Sequence, residues 1–185
     1  MFISVHELEL HEILFKEEFQ PQVIDFGPDI QQQHPLKTSG RAELLEEHRG
    51  GKNIVRDIRF VGGFETRVEL RCARCLDPVI EDLRRDFDLL YRPLGADAAK
   101  EEVSISEAET EIGFYKGEGM MLEDVLKEQV LLAVPLKVVC SEGCKGFCPH
   151  CGKNLNSELC NCEVSHSDPR WAALADIKKN LNLKN

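Results

Sequence analysis

The eight cysteines of this chain fall into four close pairs, Cys72/Cys75, Cys140/Cys144, Cys148/Cys151 and Cys160/Cys162, with none left over. This is the spacing of metal ligands. A tetrahedral Zn²⁺ takes four thiolates at about 2.3 Å, most simply from two short turns that each present two sulfurs. Four pairs therefore supply up to two closed sites. Disulfides within the pairs are disfavoured, because cysteines so near along the chain rarely meet the Cα separation and dihedral of a bridge. The strongest local signal is Cys148-Pro149-His150-Cys151-Gly152 followed by Cys160-Asn161-Cys162. Proline presets the turn between two ligands, and the glycine lets the backbone fold under the metal and aim N–H groups at sulfur. These four cysteines read as one structural zinc site. His150 stands in the turn as a solvent-facing residue or, alternatively, as a ligand in place of a cysteine. Cys72/Cys75 and Cys140/Cys144 then close a second site. The other grouping holds all metal among the six C-terminal cysteines and leaves Cys72 and Cys75 free. The cofactor expectation is one or two Zn²⁺, with two preferred.

An enzymatic use of the same residues is testable on paper. Cys72-Ala73-Arg74-Cys75 matches a dithiol oxidoreductase motif, and Arg71 and Arg74 would lower a thiol pKa. Such a motif needs its first cysteine at a helix N-terminus, whereas Leu76-Asp77-Pro78 leads into a strand. The chain has no His-Glu-x-x-His pair, no phosphate-cradling glycine loop and no Gly-x-Ser-x-Gly. Four-cysteine zinc also leaves no open coordination position for hydrolysis. No catalytic residue is assigned, and the chain is read as a non-enzyme.

The elements that must position the cysteines follow from periodicity. In residues 64–72, Phe64, Thr66, Val68, Leu70 and Cys72 share one face of a strand and alternating charges occupy the other. Gly62-Gly63 suggests a tight hairpin turn that pairs residues 54–61 with this strand. Residues 36–46 alternate more weakly, and 79–91 place Leu83, Phe87, Leu89 and Tyr91 at even spacing. The expectation is an α+β fold, an antiparallel β-meander or partly open barrel, with Cys72 to Cys75 at the tip of its last hairpin. Residues 93–109 read as an exposed acidic loop and 111–116 as a further short strand. Leu122, Val125, Leu126, Val130 and Ala133 form the apolar stripe of a packing helix that Pro135 ends. Residues 137–164 hold too few apolar side chains to fold without metal. Asp168-Pro169 then begins a terminal helix with a stripe of Trp171, Leu174, Ile177 and Leu181. Two domains result: a β-rich body, 1–136, and a zinc-binding tail with the terminal helix, 137–185.

The 185 residues suffice for one full core and a small appendage. Their net charge is −10, divided as −12 over residues 1–136 and +2 over 137–185. Two loaded four-cysteine sites would bring the chain to about −14, which excludes a generic polyanion binder. The first residues lack a basic segment followed by an apolar one, and the longest apolar run, 130–136, is far short of a bilayer span. A soluble cytoplasmic protein is expected, in a compartment that keeps thiols reduced.

Cys72-Ala73-Arg74-Cys75-Leu76, the run from Glu128 to Leu136, the run from Cys140 to Asn156, Cys160-Asn161-Cys162, and Asp168-Pro169-Arg170, taken in that order, resemble the YceD family of large ribosomal RNA subunit accumulation proteins. Asp25-Phe26-Gly27 and Ser39-Gly40-Arg41-Ala42 look like the N-terminal half of the same family. The resemblance implies a bacterial or organellar factor needed for 23S ribosomal RNA to accumulate, with no established catalytic residues. It also implies that some members lack the pairs between Cys148 and Cys162, keeping counterparts of Cys72, Cys75 and Cys144 with histidine in place of Cys140. That favours the two-site grouping. The expected partners are an immature large subunit, a 23S rRNA precursor or a basic ribosomal protein, with no membrane and no small-molecule substrate. Lys137, Lys145, Lys153, Arg170, Lys178 and Lys179 offer a modest basic surface for phosphate or partner, or serve solubility alone. Two alternatives stand beside this reading: a dithiol redox protein using Cys72/Cys75, and a zinc-dependent nucleic-acid binder, which the acidic balance disfavours.

Overall fold

One eighteen-residue strand, β5 (Ile54–Arg71), is the spine of the fold. It pairs antiparallel with β4 (Leu36–His48) on one side and β6 (Pro78–Pro93) on the other. β2 (Ile13–Phe19) lies antiparallel beyond β4, β7 (Ile112–Tyr115) lies parallel beyond β6, and the two-residue β3 (Gln31–Gln32) pairs with β5. Two short strands, β1 (Phe2–Ser4) and β8 (Gly119–Met121), make a separate ribbon; α1 (Val5–Leu8) follows the first and α2 (Leu122–Ala133) the second. The structure, a computed structural model, describes residues 1–48, 54–96, 112–162 and Ile177. It divides into two compact units, Met1–Glu142 and Gly143–Asn185. The fold is mostly sheet with a few helices. The sheet is open, running β2-β4-β5-β6-β7 with no pairing of its end strands among the described residues.

Period-two patterning holds along β5. Ile58, Phe60, Phe64, Thr66, Val68 and Leu70 are all buried on one face. β6 contributes Leu83, Phe87 and Tyr91 to the same core, and the Tyr91 ring meets Phe60 edge-on with centroids 5.8 Å apart. Leu122, Val125, Leu126 and Val130 of α2 are buried in this cluster, and the Tyr91 hydroxyl donates to Glu128 on that helix at 2.9 Å. α2 ends one residue short of Val134, where the approach of Pro135 turns the backbone extended.

Two expectations need correction. Residues 54–61 and 64–72 are one strand, with no hairpin at Gly62-Gly63. Those glycines serve a close approach instead. Gly62 stands opposite Gly40 of β4, and the Phe15 ring of β2 lies over the pair. A Cβ on Gly40 would come within 2.3 Å of the Val61 carbonyl oxygen and 2.7 Å of the Phe15 ring. Second, the sheet is not wholly antiparallel, because β7 joins parallel to β6. β2 carries no clear period-two signal in the sequence, since Glu17 interrupts the run of Ile13, Phe15 and Phe19 on its buried face. The terminal-helix stripe, apart from Ile177, and residues 97–109 of the acidic loop lie outside the described residues.

The other face of the sheet is charged, as alternation requires. Arg59 forms a two-pronged contact with Asp88 at 2.7 Å and also reaches Glu43, while Arg67 pairs with Asp82. These arginines hold both aspartates below the usual carboxylate range. At one end this face is covered. Asp57 and Arg92 are buried there, with nitrogen and oxygen 2.9 Å apart, and Glu47 adds a second carboxylate at 3.1 Å. Such a pair adds little against an apolar replacement, but losing one partner would strand a buried charge.

Gly40→Ala is expected to destabilise the first unit by about 1–3 kcal/mol, the range for an overpacked interior. Gly143→Ala, where nothing lies within 4 Å of the new methyl, should change stability by less than about 0.5 kcal/mol. Chemical denaturation of both variants measures the difference, and equal midpoints would refute the close-approach role of Gly40.

Candidate metal centres

The β5–β6 hairpin ends in Cys72-Ala73-Arg74-Cys75, between Arg71 and Pro78. The tip is a tight turn: the Leu76 N–H reaches the Cys72 carbonyl at 3.0 Å, and the Cys72 N–H reaches the Asp77 carbonyl at 2.9 Å. Leu76 takes φ +59°, an outlier for so bulky a residue. The Arg74 N–H points at the Cys72 sulfur from 3.4 Å. Residues 138–142 of the same unit come alongside. The Ala73 N–H binds the Val138 carbonyl at 2.8 Å, the Cys140 N–H points at the Cys72 sulfur from 3.4 Å, and the Arg74 guanidinium donates to the Glu142 carbonyl.

Cys148-Pro149-His150-Cys151 repeats this turn bond for bond. Gly152 N–H reaches the Cys148 carbonyl at 2.9 Å, Cys148 N–H reaches the Lys153 carbonyl at 2.8 Å, and His150 N–H points at the Cys148 sulfur from 3.4 Å. Gly152 holds φ +71°, the position Leu76 fills in the first turn. Here glycine adopts it without a steric cost. Cys160 and Cys162 return to this turn, and the Cys162 N–H points at the Cys160 sulfur from 3.3 Å.

The sulfurs gather in two sets of four, Cys72, Cys75, Cys140 and Cys144, and Cys148, Cys151, Cys160 and Cys162, each within 4.8 Å of its fellows. Within them Cys75 and Cys140 are 3.5 Å apart, Cys151 and Cys160 3.5 Å, and Cys148 and Cys160 3.3 Å. A tetrahedron with metal–sulfur bonds of about 2.3 Å has sulfurs about 3.8 Å apart, so both sets fit such an ion. None of the eight cysteines is joined in a disulfide. The grouping that leaves Cys72 and Cys75 apart from the C-terminal cysteines is not the one found.

The sulfurs are electrostatically unequal. Burial opposes ionisation of Cys72, yet the N–H groups of Cys140, Arg74 and Cys75 outweigh it and bring the thiol down to about 6. Cys148 is likewise held at about 6 by the N–H groups of Cys151 and His150. Cys75 moves the other way. The Asp77 N–H favours its thiolate, but burial and the hydrogen bond it donates to the Asp77 carboxylate prevail. Cys162 is pushed up to about 12, chiefly by its hydrogen bond with Cys160. A bound cation would displace the protons these thiols share.

The structure also bears on the alternatives. Cys72 begins no helix, because the turn runs directly into β6. His150 is exposed and its ring belongs to neither sulfur set. Of the basic candidates, Lys137, Lys145 and Lys153 are exposed, and Lys153 faces Glu158 at 3.6 Å. Arg170, Lys178 and Lys179 lie outside the described residues. Sequence reasoning missed Asp77, Val138 and Asn156; only the Asn154-Leu155-Asn156 spelling of a turn hinted at the last. No helix among the described residues is long and apolar enough to cross a membrane.

Residues 60–178 match the family model described as large ribosomal RNA subunit accumulation protein YceD. An uncharacterized protein of Mycobacterium tuberculosis is 35% identical over 106 residues, which are 57% of this chain and 48% of that protein. A protein of Arabidopsis thaliana named large ribosomal RNA subunit accumulation protein YCED homolog 1, chloroplastic, is 24% identical over 152 residues, 69% of this chain and 46% of that protein. The chain thus spans about half the length of the curated relatives it matches. No solved structure matches it.

Replacing Cys72 and Cys75 together by serine is expected to lower bound metal by one equivalent per chain and leave the other in place, as read by elemental analysis. Replacing Cys148 and Cys151 should open new proteolytic cuts within residues 145–162 and spare the sheet, which has its own apolar core. Loss of both metals from the first variant, or identical fragments from the two, would show that the sulfurs do not divide in this way.

Proposed function

The chain belongs to the YceD family of large ribosomal RNA subunit accumulation proteins, and on that premise we propose that it is a non-enzymatic factor promoting 23S rRNA accumulation and large-subunit assembly. The observation that carries the reading is the family match across residues 60–178, a stretch that includes all eight cysteines. The broad link to ribosomal RNA is the family's.

Each sulfur set is assigned a structural zinc ion, which supplies no chemistry beyond holding four thiolates together. Four sulfurs complete the coordination sphere, so no position is left to activate water. Zinc is preferred over other divalent ions because an all-thiolate tetrahedron suits a soft donor set and a metal without redox chemistry. The residues then act by shape. Cys72 and Cys75 fix the end of the longest hairpin, while Cys148, Cys151, Cys160 and Cys162 order a segment with almost no apolar side chains of its own.

The partner reading follows from charge. With both ions bound the chain carries about −14, so naked RNA is a poor ligand and a basic ribosomal protein, alone or on an immature large subunit, a better one. Lys137, Lys145 and Lys153 leave room for limited contact with phosphate. A cytoplasmic setting, or its equivalent within an organelle, goes with this assignment, since free thiols require reducing conditions.

Depleting the protein in its native host is expected to lower the ratio of large to small ribosomal subunits and to build up a large-subunit precursor, read on sucrose gradients. Purified protein should bind random RNA weakly and with a shallow salt dependence, because few lysines are available to neutralise phosphates. An unchanged subunit ratio after full depletion, with no precursor peak, would contradict the assembly role.

A further inference from the structure

Cys144 and Cys148 are four residues apart, yet their sulfurs belong to different sets. The segment between them is therefore common to both. It is built as a short antiparallel ladder inside the second unit: Phe147 bridges Asn154, the Leu155 N–H donates to the Gly146 carbonyl at 2.9 Å, and the Cys148 N–H donates to the Lys153 carbonyl at 2.8 Å. One step further along, Asn156 falls beside Lys145 and Cys144. Its side-chain oxygen accepts the Lys145 N–H at 2.8 Å, and its amide nitrogen lies 3.3 Å from the Cys144 sulfur.

The orientation of that amide is chemically determined. A backbone N–H only donates, so the group facing Lys145 must be the oxygen, and the NH₂ must face the sulfur. The backbone of Asn156 is fixed as well. Its N–H binds the Asn154 side-chain oxygen at 3.0 Å, and the Asn154 carbonyl accepts the N–H groups of Ser157 and Glu158 at 3.2 and 2.9 Å. This turn directs the chain on to Cys160 and Cys162, which complete the second set.

We propose that Asn156 couples the two metal sites: binding of an ion by Cys148, Cys151, Cys160 and Cys162 fixes the Asn156 turn, whose amide then holds the Cys144 thiolate in place for the other ion. The inference rests on the reading that both sulfur sets take a metal ion. An N–H donated to a thiolate spreads its charge and sets its direction without occupying the coordination position. Partners of this kind typically change metal affinity by about 10–100-fold. Coupling is reciprocal, so an ion in either site tightens the other.

The test is Asn156→Asp, which keeps the oxygen that accepts the Lys145 N–H and removes the donor to sulfur. The metal-free full chain is titrated with ¹¹³Cd²⁺ and followed by cadmium NMR, with competition by a chelator. The signal of the Cys144 set is assigned by its loss in Cys72→Ser/Cys75→Ser. In Asn156→Asp this signal should shift and the coupled affinity of either site should fall about 10–100-fold, while the Cys148 set titrated alone, in the Cys72→Ser/Cys75→Ser background where no coupling operates, keeps its affinity and reports that the second unit is folded. Wild-type protein with two cadmium signals, and a variant with both affinities unchanged, with a loss confined to one site, or with a loss at the Cys148 set that persists in the Cys72→Ser/Cys75→Ser background, would overturn the coupling alone. A wild-type chain with fewer than two four-sulfur signals would overturn the metal reading and the coupling together.

Discussion

Four thiolates cannot share a space under 5 Å across unless something positive stands among them. At an effective dielectric constant of 20, each pair of unit charges 4 Å apart repels by about 4 kcal/mol, and each set here contains six such pairs if all its sulfurs ionise. Protons solve the problem partly, as the depressed Cys72 and Cys148 and the raised Cys75 and Cys162 show. A divalent cation at the centre goes further, attracting all four sulfurs and leaving the set at about −2. The rest of the local structure is arranged for that solution, with backbone N–H groups aimed at sulfur from Arg74, Cys140, His150 and Cys162.

The two turns reach this arrangement on different supports. The first is carried by the strongest part of the fold, since β5 and β6 pair from Ile58–Tyr91 to Arg71–Pro78 and hold the hairpin tip in register. Its cysteines are among the most deeply buried side chains, and it tolerates Leu76 in a left-handed conformation because the ladder behind it does not yield. The second turn has only a one-bridge ladder behind it and uses glycine at the equivalent place. An arrangement so short of apolar contacts would depend on a bound ion, and the proposed coupling to the first set through Asn156 would follow from sharing one short segment.

Much of this was legible in the sequence and some was not, for identifiable reasons. The cysteine pairs were visible because ligands in a turn must be near in sequence. The buried faces of β5, β6 and α2 were visible because burial imposes its period on the residues. Gly62-Gly63 misled because the same two glycines serve a turn or a close crossing, and only the register against Gly40 and the Phe15 ring distinguishes them. The parallel pairing of β7 and the burial of Asp57 against Arg92 depend on neighbours remote in the chain; locally both read as ordinary alternation. Asn156 acts through a register set by Phe147 and Asn154, which no spacing rule encodes.

The central claim is that this chain holds two ions, each surrounded by sulfur alone. X-ray absorption at the zinc edge, on protein purified without chelator and with its metal content measured, tests it most directly. The account predicts two zinc per chain and a first shell of four sulfurs at about 2.3 Å. A shell with nitrogen or oxygen donors, or fewer than two ions per chain, would contradict it.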